Sequence, residues 1–494
     1  MGAHVRARLG ADGVIPPHAD RCFDADPQVR RIARELYAET RELPIVSPHG
    51  HVDARILATD EPFADPTSLI VTPDHYVLRM LYARGIPLEA LGVPRRDGKP
   101  VEQDPRKVWQ LFATHYDVFR ATPTGMWLDH ELHDVFGIRE PLTGDSAGRI
   151  YGLIAELLAS PEFRPRALFE RFNIEVLATT DAASDTLEHH FAIAESVWHG
   201  RVIPTFRPDA LFRIAAPGWR GAIEALAKGS RRSIDSFEAL IAELGDRRRT
   251  FKSLGASATD HGVVEPFTEP LRPHEAEQIF QRGCTRQATL EDQRRFEAHM
   301  LMEMARMSLV DGLVMQIHAG ALRDHNRPLS ERFGPDRGGD IPVATEFTRN
   351  LRPLLNEYGN DARFTLILFT LDESTYSREL APLAGHYPAV RLGAPWWFHD
   401  SIEGMLRFRE RTAETAGIDK TAGFTDDTRA FCSIPARHDL ARRVDANWLA
   451  RLVSRHVIGV GDAREMARAL AYDLARTSYR LTDVEAERAS RSKV

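Results

Sequence analysis

The sequence predicts an α/β fold, a (β/α)8 barrel of the TIM type, from three observations. Eight apolar runs have the length and spacing of strands, stretches with helical spacing separate most of them, and most runs end in chemically reactive residues. Strands that alternate with helices form parallel sheets, and eight such units can close into a barrel. Barrel enzymes collect their reactive side chains at the carboxyl ends of the strands.

The predicted strands are, in chain order, 43–53, 174–181, 201–209, 251–261, 312–320, 364–372, 390–398 and 421–429. The long segment 54–173 has helical spacing, which predicts a helical insertion covering the barrel mouth. A shorter polar segment, 262–300, predicts a loop followed by a helix, and residues 437–494 predict closing helices. We therefore expect one barrel domain over 1–494.

Composition excludes several classes of function. The chain has 494 residues with 64 Lys and Arg against 71 Asp and Glu, a net charge of −7, which argues against binding nucleic acid through bulk positive charge. Length alone would predict about three domains, but one barrel enlarged by the helical insertion and the C-terminal helices accounts for the length instead. The three cysteines, Cys22, Cys284 and Cys432, have no CxxC spacing, which favours a reducing, cytoplasmic setting. We expect neither export nor a membrane span, because no apolar run approaches about 18 residues.

The first strand ends in His49-Gly50-His51. Alternation along a strand puts both imidazoles on one face, about 6 to 7 Å apart, where they can share a divalent metal. Two surface histidines also reach this spacing by chance. On the eighth strand, alternation puts Asp427 on one face with Arg429, and an inward Asp427 would add an oxygen ligand beside the first strand. The alternative is that Asp426 and Asp427 cap the following helix.

Other strand ends carry further candidates. Arg207 shares a face with Asp209, and an arginine at a barrel mouth suits a carboxylate; the alternative is an ion pair between these two residues. His318, with Gln316 on the same side, could hydrogen-bond a substrate hydroxyl or a metal-bound water. The alternative for His318 is a satisfied core histidine.

Two neighbouring pairs complete the set of candidates. Asp260 and His261 suggest a carboxylate-oriented histidine or a cap for the next loop. Trp396 and Trp397 suggest an aromatic wall for a sugar face, or packing alone.

Taken in order, the strand ends resemble the uronate (glucuronate) isomerase family of the amidohydrolase superfamily. The resemblance covers about residues 20 to 480 and rests on phrases that occur in the family's order. These phrases are SPHGHVD (47–53), PDHYVLRMLY (73–82), TTDAASD (179–185), TFRPD (205–209), QIHAGALRDHN (316–326), LGAPWWFHD (392–400) and the Asp427 and Arg429 pair followed by Arg437-His438.

This resemblance implies a distorted barrel of the metal-dependent hydrolase type with one divalent metal, usually zinc, held by His49, His51 and Asp427. It implies isomerisation of D-glucuronate to D-fructuronate and of D-galacturonate to D-tagaturonate. The matching positions place a substrate-binding set around the sugar: His75, Tyr76, Arg207, Arg323, Trp397 and Arg429. We assign the catalytic roles to Asp427, Tyr76 and His318.

The chain departs from related proteins at two places. Gly50 stands where many family members have cysteine. A side chain at this position would point away from the metal. Superfamily hydrolases with two metals place a lysine at the end of the fourth strand, where this chain has Ala258, Thr259 and Asp260. Lys252 lies at the other end of the predicted strand, so we expect a single metal.

Two other functions remain open. A metal-dependent hydrolase would share the histidine pair and the late aspartate, but would not explain three arginines suited to an anionic sugar. A non-catalytic sugar-acid binding protein would need to have lost its chemistry. The preferred uronate, the native metal and the catalytic base are not fixed by the sequence, and a homo-oligomer is compatible with it.

Overall fold

The computed structural model describes residues 18–230 and 232–481 of the chain. Eleven strands occur in this part: β1 Ile45–Ser47, β2 Ile174–Ala178, β3 Asp181–Ala182, β4 Val202–Ile203, β5 Phe206–Arg207, β6 Ala258–Val263, β7 Val314–Ala319, β8 Ala321–Leu322, β9 Ile341–Pro342, β10 Leu366–Thr370 and β11 Val390–Leu392.

All but one of the strand pairs are parallel, so the fold is α/β. One sheet has the order β1-β2-β4 and a second the order β11-β10-β7-β6-β5-β3. The two sheets share interrupted strands, because β3 follows β2 and β5 follows β4 after two residues. Pairing continues across both breaks through the Thr179 N–H, which donates to the Ile203 carbonyl at 2.9 Å, and the Asp181 N–H, which donates to Thr205 at 3.0 Å.

The α-helices of the described residues cover the sheets. They are α1 Pro27–Thr40, α2 Ala54–Thr59, α3 Pro66–Ile70, α4 His75–Ala83, α5 Pro105–Thr114, α6 Pro123–His130, α7 Ala147–Leu158, α8 Pro165–Arg171, α9 Glu188–Glu195, α10 Asp209–Phe212, α11 Trp219–Ser230, α12 Phe237–Ser253, α13 Pro273–Cys284, α14 Leu290–Asp311, α15 Arg327–Phe333, α16 Arg352–Tyr358, α17 Ala381–His386, α18 Ile402–Ala416, α19 Ile434–Ser454, α20 Val460–Arg468 and α21 Leu474–Ser478.

Seven of these helices, α2 to α8, lie between β1 and β2. They pack around an apolar cluster that includes the fully buried Leu81, Trp109 and Ile150. The α4 helix starts where Asp74 accepts a hydrogen bond at 2.7 Å from the Tyr76 N–H. This cap fixes Tyr76 in the first turn of α4.

The antiparallel pair of β8 and β9 brackets the loop 323–340. Because β8 follows β7 after one residue, this loop is held above the carboxyl end of β7.

The predicted strand 251–261 is wrong over its first half. Helix α12 begins after its cap at Ser236 and continues to Ser253. The left-handed turn that ends it comes only at Gly255, where φ is +92°. Lys252 therefore lies on a helix, where its ammonium donates to the Asp311 carbonyl. The strand itself begins at Ala258.

The predicted strand 421–429 is also wrong. Only Thr421 pairs with its neighbour, in a single bridge to Leu392. Left-handed backbone at Gly423 (φ +75°) and Asp427 (φ +42°) interrupts the extended chain. The alternation argument that put Asp427 and Arg429 on one face therefore does not apply.

Two further boundaries differ from expectation. The strand predicted over 390–398 ends at Leu392, since the chain turns into a 3-10 helix at Trp397. The segment 262–300 carries helix α13 and half of the long α14 rather than one helix.

Helix α19 begins just before the predicted closing region 437–494. The last part of that prediction, 482–494, lies outside the described residues, as does 1–17 of the predicted domain. Among the residues described, none of the helices combines the length and apolarity needed to cross a membrane.

Candidate active site

The site is built around two histidines that directly follow β1. The rings of His49 and His51 lie 5.3 Å apart at nearly right angles. His49 is buried, and this burial lowers the pKa of its imidazole to about 4, so it is neutral near pH 7. Its Nδ1 faces the Gln316 amide nitrogen at 3.5 Å, and the Tyr479 hydroxyl donates to the Gln316 oxygen at 2.7 Å. Gln316 and Tyr479 thus form a row of side chains next to Nδ1 of the His49 ring.

Asp427 completes a three-residue cluster with these histidines. Its Oδ1 lies 3.5 Å from His49 Nε2 and 3.0 Å from His51 Nε2. Burial alone would raise the pKa of Asp427, but the neighbouring imidazoles of His49 and His51 outweigh it and lower the pKa below its ordinary value. The carboxyl is therefore ionised.

The donor set of this cluster fits a divalent metal. Its three ligand atoms lie within 4.8 Å of one another. The Oδ1 atom of Asp427 is buried and accepts no well-aligned hydrogen bond, which leaves it with an unmet requirement for a cation or donor. Two imidazoles and one carboxylate are ligands that zinc and similar ions accept. The buried cluster could therefore hold a metal ion.

A second triad, His49, Asp260 and His318, is similarly close. Here the carboxylate already has partners, since Asp260 Oδ1 lies 2.6 Å from His318 Nδ1 and its Oδ2 lies 3.2 Å from Arg207 Nη1. His318 Nε2 is buried without a hydrogen-bond partner. His318 is therefore neither the satisfied core residue nor a free histidine, but an imidazole oriented by one carboxylate.

The interpretation of Asp260 as the carboxylate that orients His261 is wrong. Successive side chains of a strand point to opposite faces, so Asp260 faces the site while His261 is buried on the other face of β6. His261 stacks on Phe212 at 5.9 Å and lies 3.0 Å from the Thr259 hydroxyl.

A cavity of about 240 Å³ opens beside the metal-type cluster. The described residues that line it include all six predicted substrate-binding residues together with two members of the cluster. The lining residues are His51, His75, Tyr76, Arg207, Arg213, Arg323, Asp324, Pro335, Asp336, Asp340, Trp396, Trp397, Asp427 and Arg429.

One wall of this cavity is aromatic. His75 stacks on Tyr76 at 4.6 Å and lies 4.7 Å from the Trp397 ring. Burial lowers the pKa of His75 well below its ordinary value and raises that of the Tyr76 phenol. Neither His75 nitrogen has a hydrogen-bond partner in the protein, although the residue lines the cavity.

The cavity lining also carries arginines paired with aspartates of the loop 323–340. Arg323 donates to Asp340 at 2.8 Å, and Arg429 Nη2 lies 3.4 Å from Asp336 Oδ2. Sequence reasoning missed both aspartates. The Gly-rich stretch Phe333–Asp340 marks a loop, but no local pattern shows that this loop folds back over the cavity.

Two alternatives from the sequence can be decided. Asp426 and Asp427 do not cap a helix, since the 3-10 turn that follows has no side-chain cap and Asp426 Oδ2 instead lies 3.1 Å from His438 Nε2. The Arg207–Asp209 ion pair does form, at 2.9 Å. Arg207 nevertheless also reaches Asp260 and the cavity.

Comparison with known proteins identifies the family. A family model described as glucuronate isomerase matches residues 28–479. A uronate isomerase of Nostoc punctiforme is 55% identical over 463 residues, which is 94% of this chain and 98% of the relative. The chain belongs to the uronate isomerase family. The resemblance seen in the sequence is thereby confirmed.

Solved structures of the uronate isomerase family agree. A glucuronate isomerase from Caulobacter crescentus superposes with a TM-score of 0.93 at 49% identity, over 94% of this chain and 97% of that chain. A uronate isomerase from Thermotoga maritima superposes with a TM-score of 0.87 at 28% identity, over 94% of this chain and all of that chain. This chain therefore has the fold of those uronate isomerase structures.

Proposed function

We propose that this chain isomerises D-glucuronate to D-fructuronate and D-galacturonate to D-tagaturonate. The observation that carries the proposal is that one cavity joins the His51 and Asp427 side of the metal-type cluster to Arg207, Arg323 and Arg429. An aldose–ketose isomerase needs a proton-transfer group and an electrophile at the reacting carbons. A uronate adds a carboxylate, which arginines bind through paired hydrogen bonds.

We propose further that the strands close into one distorted (β/α)8 barrel. Its order would be β1, β2 with β3, β4 with β5, β6, β7, β10, β11 and the segment at 421–428. Two contacts support closure: the bridge between Leu392 and Thr421, and the His51 N–H, which donates to the Thr428 carbonyl at 2.9 Å. The helices of 54–173 would then form a lid, since His75 and Tyr76 come from them.

The bound ion in this proposal is a single Zn²⁺ held by His49, His51 and Asp427. When bound, it supplies electrophilic polarisation of the oxygens at carbons 1 and 2. The Asp260 carboxylate is engaged by His318 and Arg207, which argues against a second ion at that position.

The proton transfer is assigned to the chain's own groups. Asp427, or Tyr76 once its phenol has lost its own proton, removes the proton at carbon 2 while the oxygen at carbon 1 gains a proton, which gives a cis-enediol. The same group then returns the proton to carbon 1 while the hydroxyl at carbon 2 loses its proton to become the ketone oxygen. His318, oriented by Asp260, presents its unpartnered Nε2 for a substrate oxygen. Arg429 and His75 hold the sugar carboxylate, while Arg207 and Arg323 contact hydroxyl groups beside the Trp397 ring.

The direct test is incubation of the purified chain with each uronate, with and without a chelator. We expect the 2-keto product from at least one uronate. Assays of lactone and amide hydrolysis run alongside; hydrolysis without isomerisation would contradict the proposal and favour a hydrolase. Binding of glucuronate without turnover would indicate a binding protein instead.

Solvent deuterium tests the proton-transfer step. In deuterated water, product formed from D-glucuronate should acquire deuterium at carbon 1, at least in part. Complete retention of the carbon 2 hydrogen in every turnover would instead favour hydride transfer or a proton that is fully shielded from solvent. Tyr76→Phe then distinguishes the two candidates, because exchange that persists in this variant excludes Tyr76 as the base. Asp427→Asn would also remove a proposed metal ligand, so loss of exchange in that variant alone does not identify the base.

A further inference from the structure

Arg437, on helix α19, has no role in the mechanism above although it lies next to the site. Its side chain is 1% exposed. The guanidinium donates to Asp400 Oδ2 at 2.8 Å and to the backbone carbonyl of Asp426 at 3.3 Å, both through Nη1, while Nε faces Ser433 Oγ at 3.3 Å. A buried arginine is thus fixed at the residue preceding Asp427.

The backbone at this position needs a restraint. Asp427 has φ +42°, a left-handed conformation that costs free energy for a residue other than glycine. The Asp426 carbonyl belongs to the peptide group that joins Asp426 to Asp427. A hydrogen bond to that carbonyl therefore restricts rotation of the same peptide group that orients Asp427.

The other side of the guanidinium contacts the helices between β1 and β2. Its Cζ lies 3.6 Å from the centre of the Trp127 ring of α6 and 5.0 Å from that of Tyr76 of α4. The Trp127 and Tyr76 rings also meet edge to face at 5.6 Å. One cation is thereby sandwiched between the aromatic wall of the cavity and the Asp426–Asp427 peptide.

We propose that Arg437 is a positioning residue that fixes the position of Asp427 relative to Tyr76. This inference rests on the proposed function, because Asp427 and Tyr76 are the two candidate bases. A planar guanidinium can donate in its own plane to Asp400 and the Asp426 carbonyl while its face packs on Trp127. A lysine ammonium has no flat face and no fixed in-plane donors, so Arg437→Lys keeps the charge but loses the geometry that joins the two contacts.

The test compares Arg437→Lys with Arg409→Lys. Arg409 is also buried, and it makes a two-pronged contact with Asp445 of α19 at 2.7 and 2.9 Å, but it does not line the cavity. We expect both variants to lower the melting temperature, while only Arg437→Lys lowers kcat, by tenfold or more, and weakens Zn²⁺ binding measured by chelator competition. Equal kinetics and equal Zn²⁺ affinity in the two variants would overturn the proposal.

A second variant separates the two sides of the contact. Trp127→Phe leaves the contact between Arg437 and the Asp426 carbonyl in place. Only the aromatic contact is weakened, because the phenyl ring is smaller than the indole. We expect it to raise KM for the uronate severalfold with Zn²⁺ affinity unchanged, whereas a loss of Zn²⁺ affinity equal to that of Arg437→Lys would contradict the assignment. If the wild-type chain turns over neither uronate, the proposed function fails, yet the Zn²⁺ comparison still tests whether Arg437 positions Asp427.

Discussion

Among the three arginines proposed to bind the substrate, Arg429 has the longest contact with a protein carboxylate. Its guanidinium lies 3.4 Å from Asp336, whereas Arg207 and Arg323 make shorter contacts. An arginine that is loosely held inside the protein can give its paired N–H groups to an incoming carboxylate. Arg429 is therefore the best-placed residue to test for carboxylate binding.

We expect Arg429→Lys to lower kcat/KM for D-glucuronate by about a hundredfold, because a charge-assisted paired contact is worth roughly 1.5–3 kcal/mol per hydrogen bond. Steady-state kinetics would measure it. Arg337→Lys is the control, since Arg337 follows Asp336 in the loop 323–340 but donates to the Phe333 carbonyl and does not line the cavity. Near-normal kinetics of Arg429→Lys would remove Arg429 from the substrate site.

Gly50 is a position where we expect a substitution to have little effect on activity. A Cβ placed there would meet the Ala178 carbonyl at 3.4 Å, and Asp426 Oδ1 and the Thr428 carbonyl at 3.5 Å, all ordinary contacts on the side away from the metal-type cluster. We expect Gly50→Ala to change kcat less than about threefold and to leave stability unchanged or raised by about 0.4–1 kcal/mol, because alanine restricts the unfolded chain. Kinetics and thermal melts check both; a large loss of kcat would show that the position is more crowded than its geometry indicates.

The sequence could predict that His49 and His51 belong to the site, but not that aspartates of the loop 323–340 do. His49 and His51 carry a local pattern at the end of an apolar run, so spacing alone brings them together. Asp336 and Asp340 reach Arg429 and Arg323 only because β8 and β9 pair and return the loop to the cavity. Such a contact depends on tertiary pairing between two-residue strands, which leaves almost no signal in the sequence.

At the scale of elements, the order of strands and helices was predictable and their ends were not. The apolar runs located the cores of β1, β2, β7 and β10, because buried parallel strands are nearly continuous in apolar residues. The last predicted strand failed because left-handed residues at Gly423 and Asp427 break the extension. Asp427 nonetheless meets the histidines, through a turn rather than through strand alternation.

A short π-helix between β1 and β2, Glu131–Val135, begins with a buried acid. Burial, reinforced by Asp74, raises the pKa of Glu131 to about 8 in the folded protein. A carboxyl whose folded pKa exceeds its unfolded pKa favours the folded state fully below about pH 4.5. That contribution is lost as the pH rises towards 8, since the folded state must then bury a charge or keep a proton that the unfolded chain releases.

We therefore expect Glu131→Gln to unfold at higher denaturant concentration than the wild type at pH 8, by on the order of 1–3 kcal/mol, with little difference at pH 4.5. Chemical denaturation at the two pH values measures this. The exposed Glu156, on α7 of the same segment, provides the control variant Glu156→Gln. A Glu131→Gln variant that is equally stable relative to wild type at both pH values would contradict the raised pKa.

At the scale of the whole molecule, the net charge of −7 does not describe the site. Among the residues described, four arginines and four aspartates line the cavity, so the protein alone leaves it close to neutral. A divalent ion would make the cavity positive by two charges. Attraction of an anionic sugar thus depends on the ion as well as on the arginines.

Metal removal should therefore act on binding as well as on turnover. We expect chelator-treated protein to bind D-glucuronate more weakly in calorimetry and to melt at lower temperature. Zn²⁺ at a hundredfold excess over its Kd should restore about 2.7 kcal/mol of stability. Unchanged uronate affinity after verified metal removal would show that the arginines suffice. Mg²⁺, which prefers oxygen ligands, serves as the control ion.

The contact between His51 and Thr428 joins a segment that is translated early to one that is translated much later. His49 and His51 leave the exit tunnel early, but their carboxylate partner Asp427 follows only after nearly every strand has been translated. Without Asp427, the two histidines would bind a divalent ion only weakly. High metal affinity would arise when the last segment docks, so metal uptake would report that docking and should be nearly absent from chains truncated before residue 421.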